Sequence, residues 1–259
     1  MPEGPEVRFL REVAVKNTIG KTIKSIISNT KHKVQVPKES KIIDVGSKGK
    51  LLWLETNDYY VYIHFGLTGW ILFEGSKYYK YIIKMNDLDM YIDDNRHLSK
   101  IHIMSDKSKH KKLMAKFGVD ILTDDFTYDN FKSVLTSKKA LIVAVLLDQE
   151  NYSGIGNYIK NEALYMSHID PHRKSNSLTS TETRSLYYNI KFVAYSNLIE
   201  MLDTAHIKIP KDINKLKPRK IQNPYKFRVY SNERDPKGNI ITVENIGGRT
   251  TYYVKSLQK

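Results

Sequence analysis

The chain has 259 residues, of which 41% are hydrophobic and 27% charged, proportions that fit one or two globular domains and exclude a disordered chain. Its 42 Lys and Arg outnumber its 28 Asp and Glu, and the net charge of +14 indicates a polyanionic partner, nucleic acid first and an anionic membrane surface second. No apolar run approaches the ~20 residues that span a bilayer, the start lacks a signal-peptide pattern, and the absence of cysteine excludes disulfides and thiol chemistry.

The first 125 or so residues are predicted to be mostly strands, after a short helical pattern at Val7, Leu10 and Val13. Short β-branched or aromatic segments alternate there with Gly, Asn, Asp and Ser, which is typical of an antiparallel sandwich or barrel. The predicted strands lie in the segments TIKSIIS, KIIDVGSKGKLLWLE, YYVYIHFGLTGWILFE, YYKYIIKM, LDMYIDD and KIHIMS.

From about Tyr128 the apolar spacing changes to that of helices, in DNFKSVL, KALIVAVLLDQ, GNYIKNEALYM and a run from Thr181 to about Asp203. The proline-punctuated stretch 209–224 is predicted to be an exposed loop, and strands with turns at DPKGN and IGGR are predicted after it. Residues 206–259 hold 13 Lys and Arg against 4 Asp and Glu. Interleaved Tyr, Arg and Asn favour a nucleic-acid surface there over a merely solvated loop.

The start of the chain, MPEGPE, offers a nucleophile if Met1 is removed, as is common when a small residue follows. Removal exposes the secondary amine of Pro2, and an α-amino group with a pKa near 8 is partly unprotonated at neutral pH. Attack of this amine on an aldehyde-like carbon forms an iminium ion, an electron sink. Glu3 and Glu6 are candidates for moving protons. Alternatively, the Met-Pro start is incidental and both carboxylates only stabilise a first helical turn.

Several motifs, taken in order, resemble the formamidopyrimidine-DNA glycosylase/endonuclease VIII family of base-excision repair enzymes, beginning with MPEGPEVR. SKGKLLWLE is similar to the family's glycine–lysine hairpin and places Lys50 at its lysine. HFGLTGW is similar to the H-x-G-M-[TS]-G turn, with Leu67 in place of Met; His64 in this segment is interpreted as structural. DDNRHLSK is similar to the D-x-R-x-F loop, with Arg96 retained and Leu98 in place of Phe.

The segment LLDQENYSGIGNYIKNEALYMSHIDPHR resembles the family's helix–two-turns–helix motif. Gly154 and Gly156 allow backbone amides to approach a phosphate closely, and Asn157 begins a helix as a second donor. The alternative is an ordinary capped helix pair. Glu162 also matches a family glutamate, with either a functional role or a structural one that orders the motif.

The last segments, FRVYSNERDP and IGGRTTYYVKSLQK, resemble the family's zinc finger without its four cysteines, which is a zincless finger. A shortened turn at 237–239 replaces the first cysteine pair, and Val254 and Leu257 replace the second, where they are expected to pack together. Arg249 matches the finger arginine that grips a phosphate. The alternative is an ordinary hairpin arginine.

The resemblance implies an α+β fold in three parts. Residues 1–125 are expected to form a catalytic antiparallel β-sandwich with an amino-terminal helix. Residues 126–224 would form a helical domain with the helix–two-turns–helix motif, and residues 225–259 a β-hairpin finger without zinc.

The resemblance also implies a bifunctional DNA glycosylase and AP lyase of base excision repair, acting on an everted nucleotide. Pro2 forms a Schiff base after displacing an oxidised base, pyrimidines and formamidopyrimidines being favoured, and β,δ-elimination nicks the strand. Glu3, Glu6 and Lys50 complete the expected catalytic set. The expected phosphate-binding residues are Lys50, Asn157, Arg249, Gly154 and Gly156. The residues expected to fill the space that the everted base leaves, which we call the void fillers, are Leu67, Arg96 and Leu98.

The expected partner is double-stranded DNA containing damaged bases or abasic sites, bound by a monomer with no membrane contact, no metal and no organic cofactor. The expected location is intracellular, at a nucleus, nucleoid or viral replication site, and not secreted. Two alternatives stay open. One is a catalytically inactive damaged-DNA-binding protein on the same scaffold, and the other is an amino-terminal-proline tautomerase, whose chains are far shorter and need no such charge.

Overall fold

A computed structural model describes residues 2–31 and 33–259 of the chain. The expected removal of Met1 concerns a residue outside these ranges. The chain divides into two compact units, Met1–Lys116 and Phe117–Lys259, which we call unit 1 and unit 2.

Within the described residues, unit 1 is an antiparallel sheet of eight strands with two helices. The elements are α1 (Gly4–Thr18), β1 (Thr22–Ser28), β2 (Ser40–Lys48), β3 (Leu51–Thr56), β4 (Tyr60–His64), β5 (Trp70–Leu72), β6 (Tyr79–Met85), β7 (Asp89–Asp93), β8 (Lys100–Met104) and α2 (Lys109–Met114). The strand order is β5-β7-β6-β1-β2-β3-β4-β8. β1 and β2 pair only through Thr22–Lys41 and Ile23–Ser40, so this short junction joins the two halves of a β-sandwich.

Helix α1 packs against β2, β3 and β5. Val7, Leu10 and Ala14 are fully buried, because a spacing of three and four residues puts them on one face of the helix. Arg11 at the edge of this face donates from Nε to the carbonyl of Val45 at 2.9 Å. The contacts hold the beginning of the chain on the sandwich.

Unit 2 is mainly helical. Its elements are β9 (Val119–Asp120), α3 (Tyr128–Ser137), α4 (Ile142–Leu147), β10 (Tyr152–Ser153), α5 (Asn157–Met166), a 3₁₀ turn (Ser175–Ser177), α6 (Ser180–Thr204), α7 (Lys211–Leu216), β11 (Thr242–Ile246) and β12 (Arg249–Tyr253). The longest helix, α6, packs against α5, and β12 packs against α5 as well. Thus α5 is the central element of the unit.

The predicted loop at 209–224 contains a short helix, α7, that the sequence analysis did not predict. Ile213 is fully buried and fixes this helix on the unit, although the surrounding residues are polar. Among the residues described, no helix combines the length and the apolar character needed to cross a membrane.

Candidate functional site

The predicted nucleophile and its two carboxylates lie where the chain enters α1. Pro2 and Glu3 are buried, and Glu3 is the N-cap residue of the helix. The backbone N–H of Glu3 donates to Oε2 of Glu6 at 2.8 Å, as one half of a capping box. In the other half, the side chain of Glu3 accepts from the backbone N–H of Glu6. Both carboxylates therefore have the helix-capping contacts that the structural alternative predicts, and Glu3 is in addition buried and adjacent to Pro2 in the chain.

Lys50 lies in the two-residue turn between β2 and β3. The preceding Gly49 has a φ of 55°, the left-handed conformation that such a tight hairpin requires. Strand register then places His64 opposite Leu51 and Lys100 opposite His64. Lys50, His64 and Lys100 thus lie along one end of three neighbouring strands, which we call the basic rim.

His64 is held in one tautomer within the basic rim. The backbone N–H of Gly66 donates to its Nδ1 at 3.1 Å, so in the neutral ring the proton lies on Nε2. Burial lowers the pKa of His64, and the charges of Lys100 and Lys50 lower it further. The neutral form of His64, which the lowered pKa favours, presents Nε2–H as a donor on the same rim as Lys50 and Lys100.

The three predicted void fillers come from two loops of unit 1 that touch. Leu67 lies in the turn between β4 and β5, and Arg96 and Leu98 lie in the loop between β7 and β8. Gly66 has a φ of 61°, and a Cβ there would lie 2.8 Å from the Cβ of Leu98. Since Leu98 is 40% exposed and Arg96 is also exposed, both side chains are accessible. We call these two segments, residues 65–69 and 94–99, the void-filling loops.

A buried carboxylate that the sequence analysis did not select lies beneath the void-filling loops. Asp94 is fully buried and accepts hydrogen bonds from Thr68 Oγ1 at 2.5 Å, from Ser99 N at 2.6 Å and from Arg96 N at 3.3 Å. Burial alone would raise its pKa, but the hydrogen bonds of Thr68, Ser99 and Arg96 outweigh burial and lower the pKa of Asp94. Asp94 is the first residue of the D-x-R pattern, which is the one sequence signal that marked it.

Lys80 is the second residue that was missed. It is 8% exposed, and its Nζ donates to the carbonyls of His97 at 2.6 Å and Ser99 at 2.5 Å. Burial lowers the pKa of Lys80, while the charge of Asp94 opposes this effect. Because Lys80 comes from β6, distant along the chain, no local pattern connects it with the loop.

The glycine turn in unit 2 is held by a side chain that precedes it. Gly154 has a φ of 103°, and its N–H donates to Oε1 of Gln149 at 3.0 Å. The amide of Gln149 donates in turn to the carbonyl of Ile155 at 2.9 Å. Gly156 is extended, as the N-cap residue of α5, and Asn157 is the first helical residue. The turn therefore has the local geometry that the motif predicts, with Gln149 as an unpredicted support.

The structure brings Asn157 and Arg249 close together within unit 2. Nδ2 of Asn157 donates to the carbonyl of Thr250 at 2.8 Å, and Arg249 is exposed at the start of β12. The preceding Gly247 and Gly248 have φ values of 62° and 78°, as a tight hairpin turn between β11 and β12 requires. Asn157 and Arg249 therefore place an amide and a guanidinium close together within unit 2.

Glu162 is fully buried and organises the entry to the finger. Its carboxylate accepts from the backbone N–H groups of Arg228, Val229 and Tyr230 at 2.8–3.0 Å and from the hydroxyl of Tyr225 at 2.7 Å. Of the two roles considered for Glu162, these contacts support the structural one.

Apolar side chains occupy the positions that replace the second cysteine pair of the finger. Val254 is 1% exposed and packs in a cluster with Tyr165, Val229 and Ile241, against which Leu257 also lies. This is the packing expected of Val254 and Leu257.

The turn at 237–239 is organised by Asp235. Its carboxylate accepts from the N–H groups of Lys237 at 2.9 Å and Asn239 at 2.8 Å and from Tyr165 Oη at 2.9 Å. Although burial opposes it, these hydrogen bonds, led by that of Asn239, lower the pKa of Asp235. Burial and the bond to Asp235 raise the pKa of Tyr165 to about 12.

Comparison with known proteins agrees with this arrangement. Residues 1–101 match the formamidopyrimidine-DNA glycosylase N-terminal domain, and residues 117–205 match the H2TH domain of the same enzymes. These two matches define the chain as a DNA glycosylase of the base-excision repair class.

Relatives identify the family within that class. A formamidopyrimidine-DNA glycosylase from Arabidopsis thaliana is 30% identical over 294 residues, covering 100% of this chain and 71% of the relative. One from Wolbachia pipientis wMel is 26% identical over 275 residues and covers 100% of both chains. The chain belongs to the formamidopyrimidine-DNA glycosylase family, as the sequence motifs predicted.

Solved structures confirm the predicted α+β fold. The MutM (Fpg) protein of Thermus thermophilus superposes with a TM-score of 0.79 at 21% identity, covering 99% of this chain and 98% of that one. The Lactococcus lactis enzyme bound to DNA containing an AP site gives a TM-score of 0.76 at 21% identity, with 99% of both chains covered. Other structures of the Lactococcus lactis protein contain DNA with an oxidised pyrimidine or with FAPY-dG.

Proposed function

We propose that this chain is a bifunctional DNA glycosylase and AP lyase that removes oxidised bases, pyrimidines and formamidopyrimidines above all, from double-stranded DNA. The observation that carries the proposal is the position of Pro2 beside the buried Glu3 at the start of α1, inside the segment that matches the family's N-terminal domain. The DNA bound by the Lactococcus lactis relative supports the substrate class.

The chemistry begins with the secondary amine that Pro2 has once Met1 is removed. This nitrogen attacks C1′ of an everted nucleotide, the bond from C1′ to the base breaks, and the base leaves with a proton. Glu3 gives a proton to the sugar ring oxygen, so the ring opens to an iminium ion. Loss of a C2′ proton then expels the 3′ phosphate, and a second elimination expels the 5′ phosphate. The iminium is the electron sink, so no metal or organic cofactor takes part.

Phosphate binding is assigned to two basic surfaces, one in each unit. The basic rim presents Lys50, the Nε2–H of His64 and Lys100, and the finger presents Asn157 and Arg249. Helix-start amides at the Gly154–Gly156 turn add donors, since the N-terminus of a helix attracts anions. Contacts of this kind position DNA without selecting its sequence.

Leu67, Arg96 and Leu98 are assigned to the space that the everted base leaves. Apolar side chains inserted between base steps compensate part of the unstacking cost of a few kcal/mol. The guanidinium of Arg96 supplies donors for the unpaired base opposite.

The proposed protein has three domains. They are the catalytic β-sandwich domain at residues 1–125, the helical domain at residues 126–224 and the β-hairpin finger at residues 225–259.

The test uses the purified full chain, with the mature amino terminus verified by mass. Sodium borohydride should trap a covalent adduct on a duplex with an abasic site, and peptide mapping should locate it on Pro2. Pro2→Gly should lose nearly all release of an oxidised pyrimidine while still binding an abasic-site analogue. Pro37→Gly, which changes an exposed loop proline, is the matched control and should keep both activities.

An adduct on a lysine, or unchanged base release by Pro2→Gly, would remove Pro2 from the mechanism. No adduct at all, with Met1 shown to be absent and abasic DNA still bound, would establish the inactive damaged-DNA-binding alternative instead.

A further inference from the structure

The geometry points to Asp94 as a positioning residue that fixes the two void-filling loops to each other, so that Leu67, Arg96 and Leu98 enter the base stack as one rigid unit. The inference rests on the proposed function, in which these three side chains fill the space of the everted base. It assigns a specific task to a fully buried carboxylate.

The carboxylate of Asp94 is bonded to both loops. Thr68, directly after Leu67, donates its hydroxyl to Oδ1 of Asp94 at 2.5 Å, across 26 positions of sequence. Oδ2 accepts from the backbone N–H of Ser99 at 2.6 Å, directly after Leu98. Each apolar void filler is thus adjacent in the chain to a residue that Asp94 holds.

The backbone between Arg96 and Leu98 is fixed as well. His97 has a φ of 53°, a left-handed conformation that residues other than glycine rarely adopt. Its N–H donates to the carbonyl of Asp94 at 3.0 Å, and its own carbonyl accepts from Lys80 Nζ at 2.6 Å. Because hydrogen bonds hold both the N–H and the carbonyl of His97, the side chains of its neighbours Arg96 and Leu98 project from the loop in fixed directions.

The two void-filling loops also contact each other directly. A Cβ at Gly66 would lie 2.8 Å from the carbonyl carbon of Leu98 and 2.9 Å from its oxygen, so only glycine fits against that backbone. Side chains that are ordered before binding lose less conformational entropy when they bind. A pre-assembled set of void fillers therefore enters the stack at lower cost than three independent side chains.

The experiment uses Thr68→Val, because Thr68 is exposed and valine keeps its shape while removing the hydroxyl donor. The rate of borohydride-trapped adduct formation is measured on an abasic site in a duplex and on the same site in a single strand, which has no stack to fill. The duplex rate should fall about tenfold, as expected for a lost hydrogen bond to a charged group. The single-strand rate should not change.

Ser76→Ala is the matched control. Ser76 bonds through its hydroxyl to the carboxylate of Asp93, the neighbour of Asp94, so this variant removes a bond of the same kind without touching the void-filling loops. Its duplex and single-strand rates should both match those of the unmodified protein.

A double-mutant cycle gives a second, independent readout. In the parent protein, Leu67→Ala and Arg96→Ala should have non-additive effects on the duplex rate, because the two residues act together. In the Thr68→Val background the two effects should become additive.

Equal losses on duplex and single strand, or no loss on the duplex, would overturn the role of Asp94. The failures remain distinguishable: absence of any adduct with the parent protein defeats the enzymatic proposal. A duplex rate that Leu67→Ala leaves unchanged defeats the void-filling assignment, and with it the task given to Asp94.

Discussion

Arg96 in unit 1 and Arg249 in unit 2 are both exposed arginines on tight loops, yet they are held by different means. The loop of Arg96 is anchored by buried charged side chains, Asp94 and Lys80. The turn before Arg249 relies on backbone geometry, with two glycines at positive φ. A side-chain anchor concentrates its effect in a few atoms, whereas a glycine turn depends on the conformational freedom of the main chain.

The largest expected effect follows from breaking the side-chain-anchored region. Gly66→Ala would add both left-handed strain and a clash with the backbone of Leu98, and we expect a loss of about 3 kcal/mol in the free energy of unfolding. Denaturant unfolding measures it. Gly75→Ala is the control, since its Cβ would meet nothing within 4 Å. Equal stability of the two variants would show that the loops are not tightly packed.

A second prediction separates the roles of the two arginines. Arg249→Ala should weaken duplex binding about tenfold and reduce the salt slope by about 0.9, the value for one lost phosphate contact. Arg96→Ala should slow excision and leave that slope unchanged, because Arg96 is assigned to the unpaired base. Binding titrations over a series of salt concentrations distinguish them, and identical slope changes would refute the division of roles.

The third prediction concerns the glycine turn. At Gly248, with a φ of 78° and open space around the missing Cβ, alanine brings backbone strain alone, so we expect a loss of about 1 kcal/mol in unfolding free energy. Gly248→Asn should lose less, since asparagine tolerates this conformation better. If both variants are as stable as the parent, the turn does not depend on its glycine.

The smallest effect concerns an exposed histidine, in the segment after α5, that bonds to the same hairpin. His172 bonds to Asp170 at 2.7 Å and to Glu244 in β11 at 3.2 Å. The bond to Asp170, aided by Glu244 and opposed by burial, raises the pKa of His172. Its stabilisation is therefore complete below the unfolded pKa of about 6.5 and is lost as pH rises through the higher folded value.

Solvent limits this contribution to about 0.5 kcal/mol, because the His172 side chain is 43% exposed. Unfolding of the parent and of His172→Gln at about pH 5.5 and about pH 8.5 tests it, with the difference confined to the lower pH. A stability difference that is independent of pH would exclude the ion pair as its source.

The same contrast explains what the sequence could predict. The glycine turns before Asn157 and Arg249 were predictable, because glycine spacing reports backbone requirements directly. Asp94 was visible only as part of a motif, and Lys80 had no local signal, since its partners His97 and Ser99 lie in another loop. Gln149 was missed because a side chain that supports the next turn has no distinctive spacing.

Secondary structure follows the same rule. The strands of unit 1 were predicted because short β-branched or aromatic segments alternate there with Gly, Asn, Asp and Ser. In β3, burial also alternates, with Leu52 and Leu54 inside. Helix α7 was missed, because one buried residue, Ile213, fixes a segment whose local composition resembles a loop.

The composition of the finger hairpin determines how it responds to oxidants. Oxidants that damage DNA bases also attack thiolates, and a thiolate-held metal is lost when its ligands oxidise. Here the turn depends on the Asp235 carboxylate, the hairpin packs through Val254, and the chain has no sulfhydryl to oxidise. Because it has no thiolate, the proposed enzyme can keep Arg249 in place during the oxidative stress that creates its substrates. The hairpin is destabilised by acid instead, because protonation of Asp235 removes its hydrogen-bond acceptors.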